Sequence, residues 1–421
     1  VLLRAVKIIA LNYELFVAKR IISGKEHKSS ISSPIIKIAI AAISLGVIIM
    51  LIAIATGEGL REKIRSKMSG FKGHIQITKY DANNSDVSVM PISKNQKFYP
   101  TFSNIKGIKN VQVYANQVGL IRTKTDFEGI VFKGVSTDYD WTFFKEYLIA
   151  GRIPDFNQKR TRDVLLSKTI INRLQLQLND TINVTFFKSK ASKLPSNRKL
   201  VITGIYNTGF LEFDKNIMIG DIRQVQRLNR WNENEVGGFE VILENFDELE
   251  QKGTEIYKEI DATLDATTIA SNYPGLFEWI ELFDNNTWFI IIIMILVAGI
   301  NMITALLVLI LERIPMVGIL KAMGSSNWSI RKIFLYNASY LIFVGLFWGN
   351  LIGLLLLFLQ KYGGFITLDP ATYYVSEVPI SIDFLTVVFV NIGTLVLCFL
   401  MLIIPSVIIT KIQPSKSIRF A

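Results

Sequence analysis

Four long apolar segments constrain the fold of this chain more than any other feature of its sequence. Each is long enough to cross about 30 Å of hydrocarbon as an α-helix. The mean hydropathy of +0.36 over 421 residues is too low for a chain lying wholly within a membrane. We therefore expect four transmembrane helices and one large water-exposed part. The predicted transmembrane segments are residues 34–57, 287–311, 333–359 and 384–409.

The charges outside these segments are unevenly distributed. Segments 1–37, 312–332 and 410–421 have net charges of +5, +3 and +3, whereas 58–285 and 360–383 have +2 and −2. The positive-inside rule places the three basic segments in the cytosol, with both termini, and the large section outside. Topology accounts for the formal net charge of +11, so we expect no nucleic-acid partner. The first segment lacks a small-residue cleavage site and is predicted to be a retained anchor.

The large outer section shows alternating strand-like runs, such as "HIQITKY" and "KLVITGIY", with helical runs such as "DIRQVQRLN" between them. The fold class predicted is a membrane protein with four transmembrane α-helices and a large α+β extracytoplasmic domain inserted between the first and second. The domain boundaries predicted are a cytosolic amphipathic segment (1–33), the first helix (34–57), the outer α+β domain (58–286), the second helix (287–311), a cytosolic helix (312–332), the third helix (333–359), an outer loop (360–383), the fourth helix (384–409) and a cytosolic tail (410–421).

Two short amphipathic helices are predicted beside the membrane. Residues 11–22 place Leu11, Leu15, Ala18 and Ile22 on one face, which we expect against the inner membrane surface and the first span. In the 312–332 segment, residues 315–323 form the second helix, which Gly324 ends. There Val317, Leu320 and Met323 share one face, with Lys321 at its rim. An apolar helix face of this kind either docks into a groove on another protein or rests on the inner leaflet.

The residues needed for most enzyme chemistry are missing. No G-x-x-x-x-G-K-[ST] loop for nucleotide phosphates occurs, the carboxylates are scattered, and Cys398 is the single cysteine. The two histidines, His27 and His74, lie far apart in sequence. We therefore expect no catalytic residue, no metal site and no bound cofactor in this chain. Asn301 and Asn350 are polar but not ionisable, which disfavours an ion-coupled transporter.

Small residues form stripes on two of the predicted transmembrane helices. Gly345, Gly349 and Gly353 fall at i, i+4 and i+8, and Ala42 and Gly46 form a shorter stripe. Small residues let another helix approach closely. The partner is either another span of this chain or a second subunit.

The order of these motifs resembles one family. The chain resembles the type VII ABC permeases of the FtsX/MacB superfamily, and within it the lipoprotein-releasing LolC/LolE permeases. The resemblance runs nearly end to end and rests on "AKRIISGK", "SPIIKIAIAAISLGVIIMLIAIATGEGLREKIRSKMSGFKGHIQI", "GIVFKGV", "LIAGRIP", "VLLSKTIINRLQLQLNDTINV", "LVITGIYNTG", "INMITALLVLILERIPMVGILKAMGSS" and "IIPSVIITKIQPSKSIRF".

The resemblance implies a non-catalytic permease subunit in the inner membrane of a Gram-negative bacterium, with the outer domain in the periplasm. Two copies of a separate ATPase chain, which binds ATP and Mg, would drive it, beside a second permease subunit. Its cargo would be a lipoprotein, extracted and passed to a periplasmic carrier. The site residues implied are Glu312, Met316, Val317, Gly318, Leu320, Lys321, Met323 and Gly324 for ATPase coupling; Lys188, Lys190, Lys193, Leu194, Pro195 and Arg198 for a carrier-binding hairpin; Ala42, Gly46, Met50 and Asn301 for a subunit or cargo interface; and Gly345, Gly349 and Gly353 for helix packing.

Some positions depart from the family pattern. Met316 stands where an acidic residue is common, so the docking contact there would be apolar rather than ionic. Ser167 and Asn179 replace frequent glycines, and we expect Asn179 to tolerate a left-handed backbone. Two alternatives stay open: a MacB-like exporter permease, and an FtsX-like signalling permease that controls a cell-wall hydrolase. The size of the outer section favours lipoprotein release over signalling.

Overall fold

A computed structural model describes residues 13–23, 32–80, 87–88, 90–157, 160–187 and 195–411. The chain divides into two compact units. The helical unit comprises the residues up to Leu60, Glu281–Ile366 and the residues from Val378 onward. The sheet unit comprises Arg61–Ile280 and Thr367–Glu377.

Strands and short helices lie between the first two long apolar helices, and further helices follow the second. The helices are α1 (Tyr13–Ser23), α2 (Ser32–Lys72), α3 (Thr142–Tyr147), α4 (Lys168–Leu174), α5 (Leu211–Asp214), α6 (Ile222–Asn229), α7 (Leu249–Glu259), α8 (Ile269–Asn272), α9 (Pro274–Glu312), α10 (Ile314–Ala322), α11 (Asn327–Gly363), α12 (Pro370–Tyr373), α13 (Phe384–Ser406) and α14 (Ile408–Lys411). The strands are β1 (Ile75–Lys79), β2 (Ile92–Ser93), β3 (Ile108–Arg122), β4 (Phe127–Val135), β5 (Leu148–Gly151), β6 (Asp163–Ser167), β7 (Thr181–Phe186), β8 (Ser196–Tyr206), β9 (Ile217–Asp221), β10 (Glu235–Val236), β11 (Gly238–Leu243) and β12 (Leu264–Thr268).

Helices α2, α9, α11 and α13 are long and apolar enough to cross a membrane. The α+β part lies between α2 and α9 in the chain, which confirms the predicted fold class. Both α2 and α9 extend well beyond the apolar segments, because polar helical sequence continues each of them. Helix α11 starts at Asn327, earlier than residue 333, because the Ser326 hydroxyl accepts the Ser329 N–H and caps its first turn. The last apolar segment is divided, since α13 ends one residue after Pro405.

The helical unit has one apolar core to which all of its long helices contribute. Residues from α2, α9, α11 and α13 are buried there without charged side chains, as expected of helices that meet within lipid. Members of this core with no exposed surface include Ile43, Val47, Met302, Phe334 and Leu402.

The sheet unit is built on a ten-stranded mixed sheet. Its strand order is β12-β1-β11-β3-β4-β9-β6-β8-β5, and β7 pairs with both β3 and β8. The β4/β9 and β6/β8 pairs are parallel, whereas the other pairs are antiparallel. Strands β2 and β10 form a separate two-stranded sheet.

The two departures from family glycines are accommodated locally. The Ser167 hydroxyl accepts the N–H of Ile170 at 3.2 Å, so this serine caps the start of α4. Asn179 adopts a φ of +70° in the turn before β7, as predicted for an asparagine at that position.

A short loop segment joins the sheet unit, although the sequence predicts only an outer loop at 360–383. The ring of Tyr374 packs 5.1 Å from that of Phe210 and 5.6 Å from that of Trp279. The ammonium of Lys67, on the last turns of α2, donates to the Tyr374 carbonyl at 3.0 Å. These contacts make residues 367–377 part of the sheet unit's own packing.

Candidate functional sites

The 312–332 segment, here called the coupling segment, is a short helix between two long ones. Val317 and Gly318 of α10 are buried in the core of the helical unit. Met316 and Leu320 are half-buried against the same core. Of the face predicted to dock into another protein, Val317 is therefore covered by this chain and Leu320 is partly covered, whereas Met323 is exposed.

A second face of α10 is exposed and apolar. Ile319 is 52% exposed and Met323 is 77% exposed. Pro315 and Ala322 are exposed on the same side, at the i, i+4 and i+7 spacing of a helix face. These four residues are here called the outer stripe. It includes Met323 of the predicted face, whereas Val317 is buried and offers no surface to a partner, and Leu320 is only half-buried. Periodicity could not separate the two faces, since α10 is apolar on nearly all sides.

The other predicted coupling residues lie around this outer stripe. Glu312 is exposed at the end of α9. Gly324 is exposed and has a φ of +91°, so it ends the segment's short helix in a left-handed turn. The Lys321 ammonium donates to the carbonyl of Ile409 in α14 at 2.8 Å, and desolvation lowers its pKa. Lys321 thus holds α10 to the end of the last helix rather than lining a docking rim.

The N-terminal helix α1 packs against α11, whereas its amphipathic pattern predicts a position on the inner membrane surface against the first span. The Ser329 hydroxyl donates to Glu14 Oε1 at 2.6 Å, and this hydrogen bond lowers the pKa of Glu14. Lys332 lies 3.9 Å from the same carboxylate, and Ala18 is buried. Helix α11 therefore contacts both α1 and α10 at this end of the helical unit.

The glycine stripe of α11 faces α2. A methyl group at Gly345 would lie 2.8 Å from Ile43 Cβ, and one at Gly349 would lie 2.8 Å from Val47 Cβ. At Gly353 it would lie 3.1 Å from Leu51 Cδ1. The Ser44 hydroxyl also donates to the Gly345 carbonyl at 2.9 Å. The stripe therefore packs against a helix of this same chain.

Two of the four residues predicted for a subunit or cargo interface are buried within the helical unit. Gly46 and Met50 are buried by the chain's own helices, and the nearest neighbours of a methyl group at Gly46 belong to α9. This placement differs from the prediction of a subunit or cargo interface, because neither residue is accessible. Ala42 and Asn301 are half-buried.

One polar contact inside the helical unit was not predicted. Asn350 Nδ2 donates to Asn391 Oδ1 at 2.6 Å, and Asn391 Nδ2 donates to Asn350 Oδ1 at 2.9 Å. This reciprocal amide pair joins α11 to α13. Asn391 could have been found as a second amide in an apolar run.

The predicted carrier-binding hairpin joins β7 to β8. Four of its residues, Lys188, Lys190, Lys193 and Leu194, lie outside the described residues. Pro195 is exposed and Arg198 is half-buried. Desolvation, followed by the charges of Arg227 and Arg160, lowers the pKa of Arg198.

An open cleft of about 770 Å³ lies beside this hairpin. Its rim includes Arg122, Lys124, Arg198 and Lys199, and no carboxylate lines it among the described residues. Strand pairing explains the cluster, because Arg122 is opposite Asn183 on β7, which is opposite Lys199 on β8. The cleft is therefore a positively charged surface. Elsewhere in the described part of the chain, no group of three His, Cys, Asp or Glu side chains is placed to hold a metal ion.

These features define a membrane protein with four candidate spans and a large folded domain between the first two. The profile of the family "MacB-like periplasmic core domain" matches residues 38–256, and that of "FtsX-like permease C-terminal" matches residues 288–414. The chain belongs to the family with the MacB-like periplasmic core domain.

Two similar proteins match nearly the whole chain. The lipoprotein-releasing system transmembrane protein LolC of Neisseria meningitidis is 22% identical over 97% of this chain and 99% of its own length. The transmembrane protein LolE of Haemophilus influenzae is 18% identical over 96% and 99%. The periplasmic region of MacB from Actinobacillus actinomycetemcomitans matches 48% of this chain and 92% of its own, with 14% identity and a TM-score of 0.34. The predicted resemblance to the FtsX/MacB superfamily and to LolC and LolE is confirmed.

Proposed function

We propose that this chain is the permease subunit of an ABC transporter that extracts lipoproteins from the outer leaflet of the inner membrane. The observation that supports this most strongly is the similarity to LolC and LolE over nearly the whole of both chains. A match confined to one domain would leave an exporter or a signalling permease equally supported. The permease subunit itself is not catalytic.

The energy would come from a separate ATPase chain, present in two copies, which binds ATP and Mg. We propose that each ATPase docks on the outer stripe of α10, through Ile319 and Met323, with Glu312 and Gly324 beside it. Exposed apolar side chains on one helix face suit a groove on a partner. This docking requires the coupling segment and both termini to be cytosolic, as their basic charge predicts.

The lipoprotein would enter laterally between the first and second spans, beside a second permease subunit that is either the same chain or a homologous one. Exposed apolar residues on both helices support a surface for lipid, for that subunit or for acyl chains. They include Ile38 and Leu45 on α2 and Trp288, Phe289 and Ile300 on α9. Each acyl CH₂ that leaves the bilayer costs about 0.8 kcal/mol. Extraction therefore needs both an energy source and an apolar acceptor.

The acceptor would be a periplasmic carrier that binds at the β7–β8 hairpin. The basic cleft supports this, because its uncompensated positive charge would attract an acidic carrier surface and speed encounter. The same mechanism implies a salt dependence, since added ions screen exposed charges.

The test is purification of the detergent-solubilised complex by a tag on this chain, followed by mass spectrometry of proteins and lipidated peptides. We expect a separate ATPase chain, and triacylated lipoproteins that are retained without ATP and released with ATP and Mg. A cell-wall hydrolase with no lipoprotein would instead support the FtsX-like alternative. An outer-membrane tunnel with an adaptor would support the MacB-like alternative.

A further inference from the structure

The last turn of α2 is held by side chains of the sheet unit. The carbonyls of a helix's last turn have no partner within the helix, and they form its negative end. The Tyr139 hydroxyl donates to the carbonyl of Gly70 at 3.2 Å. The Lys133 ammonium, from β4, donates to the carbonyl of Phe71. Two carbonyls of the last turn are therefore each fixed by a different side chain.

The charge of Lys133 is neutralised inside the sheet unit. Its ammonium lies 2.7 and 2.8 Å from the two carboxylate oxygens of Glu240 on β11. Gln112 on β3 donates to the same carboxylate at 2.9 Å. The side chains of Lys133 and Glu240 are only 3% and 1% exposed. Three neighbouring strands, β11, β3 and β4, thus contribute to one buried polar group, here called the helix clamp.

The end of α2 is tightly packed around the helix clamp. A methyl group at Gly73, whose φ is +71°, would lie 2.8 Å from Glu240 Cβ. The ring of Phe71 is fully buried, 5.3 Å from that of Phe144 and 5.0 Å from that of Phe213. A rotation or a shift of α2 would therefore break the clamp or displace the sheet with it.

Stability alone gives no reason for a charged pair at this position. Well-packed apolar residues usually serve a core as well as a buried ion pair does, because both ions lose their hydration. A buried pair bonded to specific atoms does, however, define one position for the groups it joins. Here the joined groups are the sheet and the end of α2, which is one continuous helix from Ser32 to Lys72.

We propose that Lys133, held by Glu240, is a positioning residue that fixes the end of α2 to the sheet, so that movement of α2 displaces the sheet unit. This inference rests on the proposed function, since it requires ATP hydrolysis by the partner ATPase to move α2. With the helix clamp intact, the movement driven by ATP hydrolysis would lead to lipoprotein release. Without it, ATP would be hydrolysed with less lipoprotein released per ATP.

The experiment uses the full complex of this chain with its ATPase and its permease partner, reconstituted in lipid vesicles with a triacylated lipoprotein and a soluble acceptor. The variant Lys133→Met/Glu240→Leu removes both charges together, so neither is left buried alone. Tyr139→Phe removes one hydrogen bond to the helix end and leaves the ion pair intact. The matched control Arg152→Met removes an exposed ion pair with Asp163, which has no contact with the clamp residues.

The readouts are the rate of ATP hydrolysis, the lipoprotein released per ATP and the thermal unfolding of the complex. For the double variant we expect wild-type hydrolysis and an unfolding temperature close to that of wild type, with release per ATP lowered about tenfold, within the range of a lost coupling contact. For Tyr139→Phe we expect about a threefold loss, the effect of one hydrogen bond. Arg152→Met should match wild type. Equal release per ATP in wild type, Tyr139→Phe and the folded double variant would overturn the proposal.

Hydrogen exchange of the wild-type complex tests the clamp even where the double variant does not fold. The amides of the last turns of α2 and of β4 should be equally protected with ADP and with a non-hydrolysable ATP analogue. Faster exchange there in one nucleotide state would show that the clamp opens, and would overturn the proposal. A wild-type complex that hydrolyses ATP but releases no lipoprotein would overturn the proposed function instead, while the exchange result would still decide the clamp.

Discussion

The two ends of α2 are held by different physical means. In the helical unit, α2 meets α11 through glycines, with Ser44 donating to a carbonyl and no charge involved. In the sheet unit, its last turn meets a buried ion pair and a cluster of aromatic rings. A lipid-facing bundle gains stability by close approach of backbones, because unpaired charge is costly there. A water-exposed domain tolerates buried charge where every charged atom has a partner.

The largest expected effect comes from breaking the ion pair on one side only. Lys133→Met leaves the Glu240 carboxylate buried without its cation, which should lower the free energy of unfolding of the sheet unit by about 3–5 kcal/mol. Hydrogen exchange of β4 and β11 in the full chain measures this loss. The double variant Lys133→Met/Glu240→Leu should recover most of it. Equal losses in the single and double variants would mean that packing, not charge, holds this site.

A pH dependence should arise in the sheet unit from Asp214. Burial raises the pKa of Asp214 from 3.8 to about 6, although it accepts hydrogen bonds from Thr208 and Gly209. The folded state keeps the proton to a higher pH than the unfolded state does. The stabilisation is therefore complete below pH 3.8 and is lost as the pH rises through about 6.

Asp214→Asn, which stays neutral, isolates this effect. Between about pH 4 and 7, the free energy of unfolding of wild type should fall relative to the variant by up to about 3 kcal/mol. Hydrogen exchange of β6 and β9 at several pH values is the measurement. A difference that does not change with pH would show that Asp214 is ionised throughout.

In the helical unit, the strongest test is to add bulk to the glycine stripe. Gly349→Leu would force atoms against Val47 Cβ and the Ser44 carbonyl, and overpacking of this kind costs about 1–3 kcal/mol. Thermal unfolding in detergent should show the loss. Gly393→Leu is the matched control, because a methyl group at Gly393 meets no atom within 4 Å. The same unfolding temperature for both variants would contradict close packing of α2 on α11.

The smallest expected effect concerns the amide pair between α11 and α13. Asn391→Leu removes both reciprocal hydrogen bonds and should destabilise the helical unit by about 0.6 kcal/mol, because polar contacts between membrane helices are weak. A double-mutant cycle with Asn350→Leu measures the coupling. A coupling above about 2 kcal/mol would exceed the range for such pairs. It would mean that polar contacts stabilise the helical unit strongly, as they do the sheet unit.

The features that the sequence predicts are those that leave a local signal in it. Apolar length and charge asymmetry are local signals, so the four candidate spans were found. The sequence also predicts half-buried strands such as β1, because their residues alternate between buried and more exposed positions. Strands β6 and β9 were missed because both are short and almost wholly buried, which removes the alternation.

The candidate sites were harder to predict because they depend on tertiary contacts. Val317 and Ile319 are both apolar residues of one short helix, and only the packed structure separates the buried one from the exposed one. Lys133 and Glu240 lie far apart in sequence, and neither strand sequence by itself indicates a buried ion pair. The ion pair exists because β3 pairs with both β4 and β11.

The most direct test of lipoprotein extraction is single-turnover release. The complex in lipid vesicles is loaded with a triacylated lipoprotein, ATP and Mg are added, and the lipoprotein transferred to a soluble acceptor is counted. We expect transfer that requires ATP hydrolysis and stops when Ile319 and Met323 are replaced by aspartate, because the ATPase no longer docks. ATP hydrolysis by an intact wild-type complex without any transfer of lipoprotein would contradict the account.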